Sequence, residues 1–341
     1  MKKLRTAVLI VLFLAILVPV FAQYDDSRLE AMGSIGIAVS DNRHPNVINP
    51  ATLYFYEDSQ VFVINGQYQD SFLLNSKESF PAYPSSGFNG SFIGKMISFS
   101  IGFDFNVDSN NENDDIKYYN IYQNTEIKLN LSAGLGNFSA GIGIYGGSSK
   151  QRSNVSIHHT SAAYDFFVQT FLGTYDRVLD SEYLQMNVGF MFKTGDLSIG
   201  ILCDNILDID DSKTTFSWDS FIKEAGIGLY YTSGEYGRRG RLNTFGYSFG
   251  LEISNLFTST SRALSSGFEL SLLLAKDYSL YFRTGYHALF ESFGYGTHSV
   301  GFGAKLDKFE LNANAHFPVS VYRGLDNGDR LSMAVSFTVT I

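Results

Sequence analysis

Six charged side chains occur on the polar side of segments in which apolar and polar residues alternate. A basic group in such a position could hold the carboxylate of a bound molecule. Charges that face a common interior also pair with one another, because an uncompensated buried charge is costly. Arg283 with Glu269 or Glu252 is the pair that we expect. The six residues predicted to face an interior are Lys128, Lys193, Glu252, Glu269, Arg283 and Glu310.

Hydrolytic or metal chemistry would need histidine beside suitable partners. His316 could meet Ser332 or Ser336 on an adjacent strand. Nothing nearby clearly supplies the acid that would orient its imidazole ring. His158 and His159 are adjacent, so on a strand their rings point to opposite faces and cannot bind one metal ion. The sequence therefore predicts no enzyme, no metal site and no cofactor.

The elements that carry the charged residues are predicted strands with one apolar and one polar face. In the closing stretch RLSMAVSFTVTI, from Arg330 to Ile341, large apolar residues alternate strictly with small or polar ones. The same period of two recurs in residues 97–107, 125–135 and 309–317. Each of these segments is expected to expose its two faces to different environments.

Short turns join such strands into six hairpins, and longer polar segments separate the hairpins. A first strand near 60–69 and the closing strand bring the expected number to about 14. The longer segments, expected as loops, include 108–124, 148–183 and 205–221. The predicted hairpins pair residues 87–93 with 97–107, 125–135 with 138–147, 184–193 with 197–204, 222–232 with 242–255, 264–274 with 278–288, and 297–306 with 309–317.

The first 22 residues, MKKLRTAVLIVLFLAILVPVFA, indicate an exported protein. Basic residues, an apolar core and a Val-x-Ala ending are typical of a secretory signal cleaved after Ala22. Beyond it, no stretch reaches the roughly 18 apolar residues of a transmembrane helix. The single cysteine excludes an internal disulfide, and the formal net charge of −9 argues against a nucleic-acid partner.

An exported chain without membrane helices can still span a membrane as a closed barrel. An even strand count, short turns at one end and long loops at the other are typical of outer-membrane barrels. We therefore predict an all-β fold for residues 59–341, a transmembrane antiparallel β-barrel of about 14 strands, surrounded by outer-membrane lipid in a diderm bacterium. A soluble β-sandwich would alternate similarly, but the small and charged residues on the polar face favour the barrel.

Closure requires the last strand to pair with the first, and the end of the chain could then be the signal that the barrel-assembly machinery reads. Residues 23–58 precede the first strand and do not alternate. A 14-stranded barrel is wide enough to hold them, so we predict a hatch inside the lumen. Glycine permits close approach to the wall and proline fixes a bend. The predicted hatch residues are Gly33, Gly36, Asp41, Asn49, Pro50 and Ala51.

The stretch from Met32 to Ala51 resembles the hatch of the FadL-type (OmpP1/FadL/TodX-like) outer-membrane transporters of hydrophobic compounds. The match rests on its glycine-rich start, on Asp41 and on the Asn-Pro-Ala tripeptide. The chain is also similar to spirochaetal relatives of that family. The resemblance implies passive uptake of long-chain fatty acids or other hydrophobic small molecules. It also implies that an outer groove captures the ligand, the hatch shifts and the ligand leaves sideways through a gap in the wall.

Capture of such a ligand would need an apolar surface outside the barrel. Phe166, Phe167 and Phe171 could form it, unless segment 148–183 simply continues a strand above the membrane. Three functions remain open from the sequence. They are a transporter with a hatch, a general porin with an unplugged polar lumen, and a structural, secretion-associated or adhesin-like outer-membrane protein.

Overall fold

The computed structural model is almost entirely antiparallel sheet. It describes residues 27–40, 47–56, 60–73, 85–113, 116–158, 177–210, 213–216, 225–233, 244–258, 261–275, 278–291, 296–319 and 330–341. Within these residues, two short helices precede the strands, α1 (Ser27–Ala31) and a 3₁₀ helix (Pro50–Phe55). None of the helices in these ranges is long and apolar enough to cross a membrane.

Fifteen strands follow in the described residues. Their bounds are β1 Val61–Leu73, β2 Ser85–Gly94, β3 Ile97–Asn113, β4 Ile116–Leu135, β5 Phe138–His158, β6 Arg177–Thr194, β7 Leu197–Asp210, β8 Lys213–Phe216, β9 Ala225–Thr232, β10 Thr244–Ser254, β11 Ala263–Ala275, β12 Tyr278–Leu289, β13 Thr297–Leu306, β14 Phe309–Pro318 and β15 Arg330–Thr340.

Fourteen of these strands form one closed ring. Each pairs with its neighbours in chain order, β15 pairs with β1, and β6 pairs with β7. The remaining strand, β8, pairs with the last residues of β7. At the closing seam, the Phe62 and Ile341 backbones exchange hydrogen bonds of 3.2 and 2.8 Å. The predicted 14-stranded barrel is confirmed, and the single ring excludes a two-sheet sandwich.

Tight turns connect the strands at one end of the barrel, which we call the turn end. Gly136 and Gly195 adopt left-handed backbone angles there, with φ of 62° and 56°. Such angles are those of two-residue hairpin turns that match the sheet twist. The opposite end, where longer connections lie, is called the loop end.

The two faces of the barrel are reversed relative to a soluble protein. Large apolar side chains stand exposed on the outside, among them Phe62, Phe138 and Phe302 at 58, 64 and 60%. The buried inward positions are mostly glycine, serine and asparagine, with a few charged residues among them. An apolar outer surface around a polar interior fits hydrocarbon outside and protein inside.

Several strands are longer than the sequence predicted. β3 and β4 run through most of residues 108–124, β5 extends to His158, and β7 extends to Asp210. The prediction of loops there is wrong for these residues. Residues 108–113, DSNNEN, are polar throughout and so lack the alternation by which a strand is recognised, while ladder hydrogen bonds to β4 still hold them.

Candidate functional site: the N-terminal segment inside the barrel

The described residues that precede β1 lie against the inner wall of the barrel. Residues 28–33, 35–40 and 49–53 are buried. α1 contacts β12 to β15, and the 3₁₀ helix contacts β4, β5 and β6 on the other side of the ring. We call residues 27–40 and 47–56 together the N-terminal segment. It follows the wall across most of the circumference.

The first anchor of the segment is Arg28, on α1. Its guanidinium donates two hydrogen bonds to the Glu269 carboxylate of β11, at 3.0 and 3.3 Å. It also donates to the Tyr230 hydroxyl of β9 at 3.2 Å. Arg28 and Glu269 are each 1% exposed. A two-pronged arginine–carboxylate contact fixes orientation as well as charge.

Glu269 also accepts from Arg283 of β12, whose Nε lies 2.7 Å from Glu269 Oε2. Arg283 in turn donates to Glu310 at 3.3 Å and to Asn312, both on β14. This buried ionic cluster balances two arginines against two glutamates. Mutual compensation is what allows four charges to remain away from water. Side chains of four strands, β9, β11, β12 and β14, are thereby linked to α1.

A second acidic residue of the wall holds the segment at its centre. Glu252 of β10 accepts from the backbone N–H groups of Gly36 and Ile37, at 2.7 and 2.8 Å. In the reverse direction, Glu30 of the segment accepts from Gln67 of β1 at 3.2 Å and from Asn314 of β14 at 3.0 Å. The wall therefore supplies both an acceptor, Glu252, and two donors, Gln67 and Asn314, to polar groups of the segment.

The Asn-Pro-Ala tripeptide forms the third anchor. Asn49 caps the 3₁₀ helix, because its Oδ1 accepts from the Ala51 N–H at 3.0 Å, and Pro50 occupies the first turn. The Asn49 amide also donates to the carbonyls of Phe190 on β6 and Ile201 on β7, at 3.4 and 3.3 Å. One side chain thus shapes the segment and contacts two wall strands.

A belt of glycines makes room for the segment. A methyl group on Gly285 would clash with the Gly33 nitrogen, and one on Gly200 would clash with the Ile37 carbonyl oxygen. Main chain thus packs directly on main chain. Nine strands that follow one another around the ring contribute glycines at which a methyl group would meet backbone or side-chain atoms of the segment, among them Gly134, Gly141, Gly189, Gly200, Gly228, Gly250, Gly267, Gly285 and Gly301.

This glycine belt was not recognised from the sequence, although a signal for it exists. Its members fall on the inward side of their strands, and several face each other in register, such as Gly250 with Gly267 and Gly267 with Gly285. Glycine on the same face of successive strands indicates that another backbone approaches. Gly33 of the segment has φ 76°, and a methyl group there would lie 2.6 Å from the Ser266 carbonyl oxygen of the wall. The close approach therefore requires glycine on the segment as well as on the wall.

The remaining predicted site residues lie apart from the ionic cluster. Lys128 is 3.4 Å from Glu126 on its own strand and lies over the Tyr145 ring. Lys193 lies over the Phe55 ring, with its ammonium 5.9 Å from the centroid. Asp41, Phe166, Phe167 and Phe171 fall outside the described residues.

His316 meets a serine that was not considered from the sequence. Its Nδ1 lies 2.9 Å from Ser299 Oγ on β13, and its Nε2 lies 3.8 Å from Glu30. Ser265 and His287 form a similar pair at 2.9 Å. Ser299 is 2% exposed, and the His316–Glu30 distance exceeds that of a hydrogen bond. These pairs link β11 with β12 and β13 with β14.

No family model and no curated protein matches this chain. Among solved structures, the CymD monoaromatic hydrocarbon channel is 10% identical with a TM-score of 0.60, covering 93% of this chain and 97% of its own. The toluene transporter TbuX of Ralstonia pickettii is 10% identical with a TM-score of 0.54, covering 92% and 98%. A FadL homologue of Pseudomonas aeruginosa is 9% identical with a TM-score of 0.53, covering 94% and 99%.

This chain shares their barrel fold. The resemblance to FadL-type proteins, predicted from about 20 residues, is thereby confirmed for the architecture of nearly the whole chain. A closed 14-stranded barrel with an apolar outer surface is an outer-membrane fold of Gram-negative bacteria.

Proposed function

We propose that this protein is an outer-membrane transporter for the passive uptake of hydrophobic small molecules, with residues 23–58 as its hatch and residues 1–22 as a cleaved signal. The observation that carries the proposal is the burial of the N-terminal segment against the inner wall, held by the ionic cluster, by Glu252 and by Asn49. A lumen occupied in this way suits selective passage better than free diffusion of water and ions.

The ligand class rests on likeness of fold. CymD and TbuX are named for monoaromatic hydrocarbons and toluene. Long-chain fatty acids belong to the same proposal, with Phe166, Phe167 and Phe171 as the capture surface and Lys128 or Lys193 as the partner of a carboxylate. Outer-membrane lipid and the barrel-assembly machinery are the other proposed partners. The role is transport, with no catalytic step.

Two measurements on the mature chain, residues 23–341, test this function. In planar bilayers we expect a nearly closed trace, and a steady conductance once residues 23–58 are deleted. In intact diderm cells that lack their own fatty-acid channel, we expect the protein to raise the uptake of radiolabelled oleate. A large, steady conductance of the undeleted chain would instead identify a general porin. A closed trace without oleate uptake would favour the structural or adhesin-like role.

A further inference from the structure

Three aromatic side chains form a row on the outer face of the barrel, towards the loop end. Tyr286 of β12 is opposite His298 of β13, and His298 is opposite Phe317 of β14. The Tyr286 and His298 ring centroids are 5.1 Å apart, and the His298 and Phe317 rings are stacked at 15° with centroids 6.0 Å apart. The row has the strand parity of Phe282 and Phe302, which are 39 and 60% exposed on the outside. It therefore faces lipid.

A basic side chain lies beyond this row, on the same face of the sheet. Arg262 directly precedes β11, and its guanidinium carbon lies 5.8 Å from the centroid of the Phe290 ring. The Phe290 N–H donates to the Arg262 carbonyl at 2.9 Å, which continues the β11–β12 ladder by one pair. Phe290 has the parity of Tyr286 and is 44% exposed. Arg262 and Phe290 thus extend the outer face above the row.

These residues lie at the height where the apolar part of the bilayer ends. Strand β12 begins at the turn end with Tyr278, eight residues before Tyr286 and twelve before Phe290. With a rise of about 3.3 Å per residue and a tilt of about 40°, Tyr286 is roughly 20 Å and Phe290 roughly 30 Å above Tyr278. The apolar band of an outer-membrane barrel is about 25 Å tall. The aromatic row is therefore near its upper edge, and Arg262 lies among the head groups.

The backbone around Arg262 is held in place, so its guanidinium is presented at a defined position. In the connection between β10 and β11, the Asn255 amide donates to the Ser261 carbonyl at 3.1 Å, and the Thr258 N–H donates to the Asn255 carbonyl at 3.0 Å. The Arg262 Nε is buried and has no hydrogen-bond acceptor among the described residues. A buried donor without an acceptor is costly. An acceptor supplied by a bound molecule would remove that cost.

We infer that Arg262 binds the phosphate of a lipid in the outer leaflet, and that the row of Tyr286, His298 and Phe317 packs against the same lipid. A guanidinium matches a phosphate group in shape and charge. The Tyr286 hydroxyl and a His298 ring nitrogen, about 10 Å below the arginine, lie at the level of the ester groups and can donate to them. The molecule must be amphipathic, because one end of the site is cationic and the other is aromatic. We call these four residues with Phe290 the interfacial site.

The interfacial site is on the outside of the barrel, whereas the N-terminal segment and its contacts lie inside. It therefore stands whether or not the barrel transports hydrophobic molecules. Lys128, Lys193 and Arg283 also lie over aromatic rings, but these contacts face the lumen. The lipid site is thus separate from the residues that the proposed function uses.

Binding of dioleoyl phosphatidic acid to the purified mature chain in a nonionic detergent tests the site, with native mass spectrometry as the readout. We expect Arg262→Gln to weaken the affinity at least about tenfold, because a hydrogen-bonded charge pair is lost. The matched control is Lys308→Gln, which removes an exposed cation at the turn end; its affinity should stay within about twofold of the wild type. Unchanged binding by Arg262→Gln would overturn the inference, and so would an equal loss in the control.

Two further ligands identify the chemistry that is bound. Dioleoyl phosphatidylcholine, whose phosphate carries a compensating choline, should bind at least about tenfold more weakly than phosphatidic acid. Inorganic phosphate in large excess should leave the bound lipid in place, because it cannot contact the aromatic row. Equal affinity for the two lipids would overturn the assignment of a phosphate contact. Displacement by inorganic phosphate would overturn the assignment of a lipid.

The unfolding temperature in detergent provides a second readout. A ligand that binds only the folded state stabilises it, so phosphatidic acid should raise the unfolding temperature of the wild type and leave that of Arg262→Gln unchanged. An equal rise in both would contradict the site. Arg262→Lys covers the case in which Arg262→Gln does not fold, since it keeps the charge and loses the planar guanidinium. We expect this variant to bind phosphatidic acid at least about threefold more weakly, and wild-type affinity would refute the guanidinium contact.

Discussion

At the scale of single residues, Glu269 is the centre of the contacts between the N-terminal segment and the wall. Both Arg28 and Arg283 contact its carboxylate. Removing one member of a buried charge network leaves its partners uncompensated, which costs more than the network contributes as a whole. The cluster therefore fixes where α1 lies more than it stabilises the barrel.

Glu269→Gln should lower the free energy of unfolding by about 3 kcal/mol, because both arginines lose a buried counter-charge. Urea titration of the protein in detergent measures the change. The control is Asp180→Asn, which breaks the ion pair between Asp180 and Lys150, whose side chains are 64% and 43% exposed respectively. For this variant we expect the free energy of unfolding to change by less than about 1 kcal/mol. Equal effects of the two substitutions would refute the buried-network argument.

Gly285→Ala should displace the segment rather than the barrel. The added methyl would clash with the Gly33 nitrogen, and a backbone atom cannot rotate away as a side chain does. We expect trypsin to cut after Arg28 much faster in this variant. Gly90→Ala is the control, since a methyl there has no atom within 4 Å. The close packing would be disproved by unchanged protection of Arg28 in Gly285→Ala.

At the scale of elements, the 3₁₀ helix is both capped and attached to the wall by Asn49, and two substitutions separate these roles. Asn49→Asp keeps the cap acceptor but loses the amide that reaches β6 and β7; Asn49→Ala loses both. Each should speed amide exchange at Ala51 and Thr52, with Asn49→Ala costing about 1 kcal/mol more. Identical exchange in the two variants would show that the cap contributes nothing.

Strand content was predictable where lipid lies on one side of the wall and protein on the other. Residues 97–107 alternate because their two faces meet different surroundings, and β3 forms there as expected. Residues 108–113 continue the same strand with polar residues throughout, so periodicity gave no sign of it. Arg28 was missed for a related reason, since its partner Glu269 is 241 residues away and the segment around it has no period.

At the scale of the whole molecule, the barrel depends on its closing seam. β15 pairs with β1 from Leu73 opposite Arg330 to Val63 opposite Thr340. Deleting residues 338–341 shortens this ladder at the turn end and removes the mutual hydrogen bonds of Phe62 and Ile341. We expect a large loss of the heat-modifiable, folded band on gels. Ile341→Leu, which keeps the backbone, should fold like the wild type; a folded truncation would refute the requirement.

The positions of the N-terminal segment's partners along the chain impose an order in time. Glu269 follows Arg28 by 241 residues, and Asn314 follows Glu30 by 284. If the N-terminal segment enters the periplasm first, the wall residues that bind it are therefore absent until nearly the entire chain has been exported. During that interval Leu29, Met32, Ile35 and Val39, all buried in the finished protein, face water and invite aggregation. The first of these residues to be exported are thus among the last to reach their final contacts.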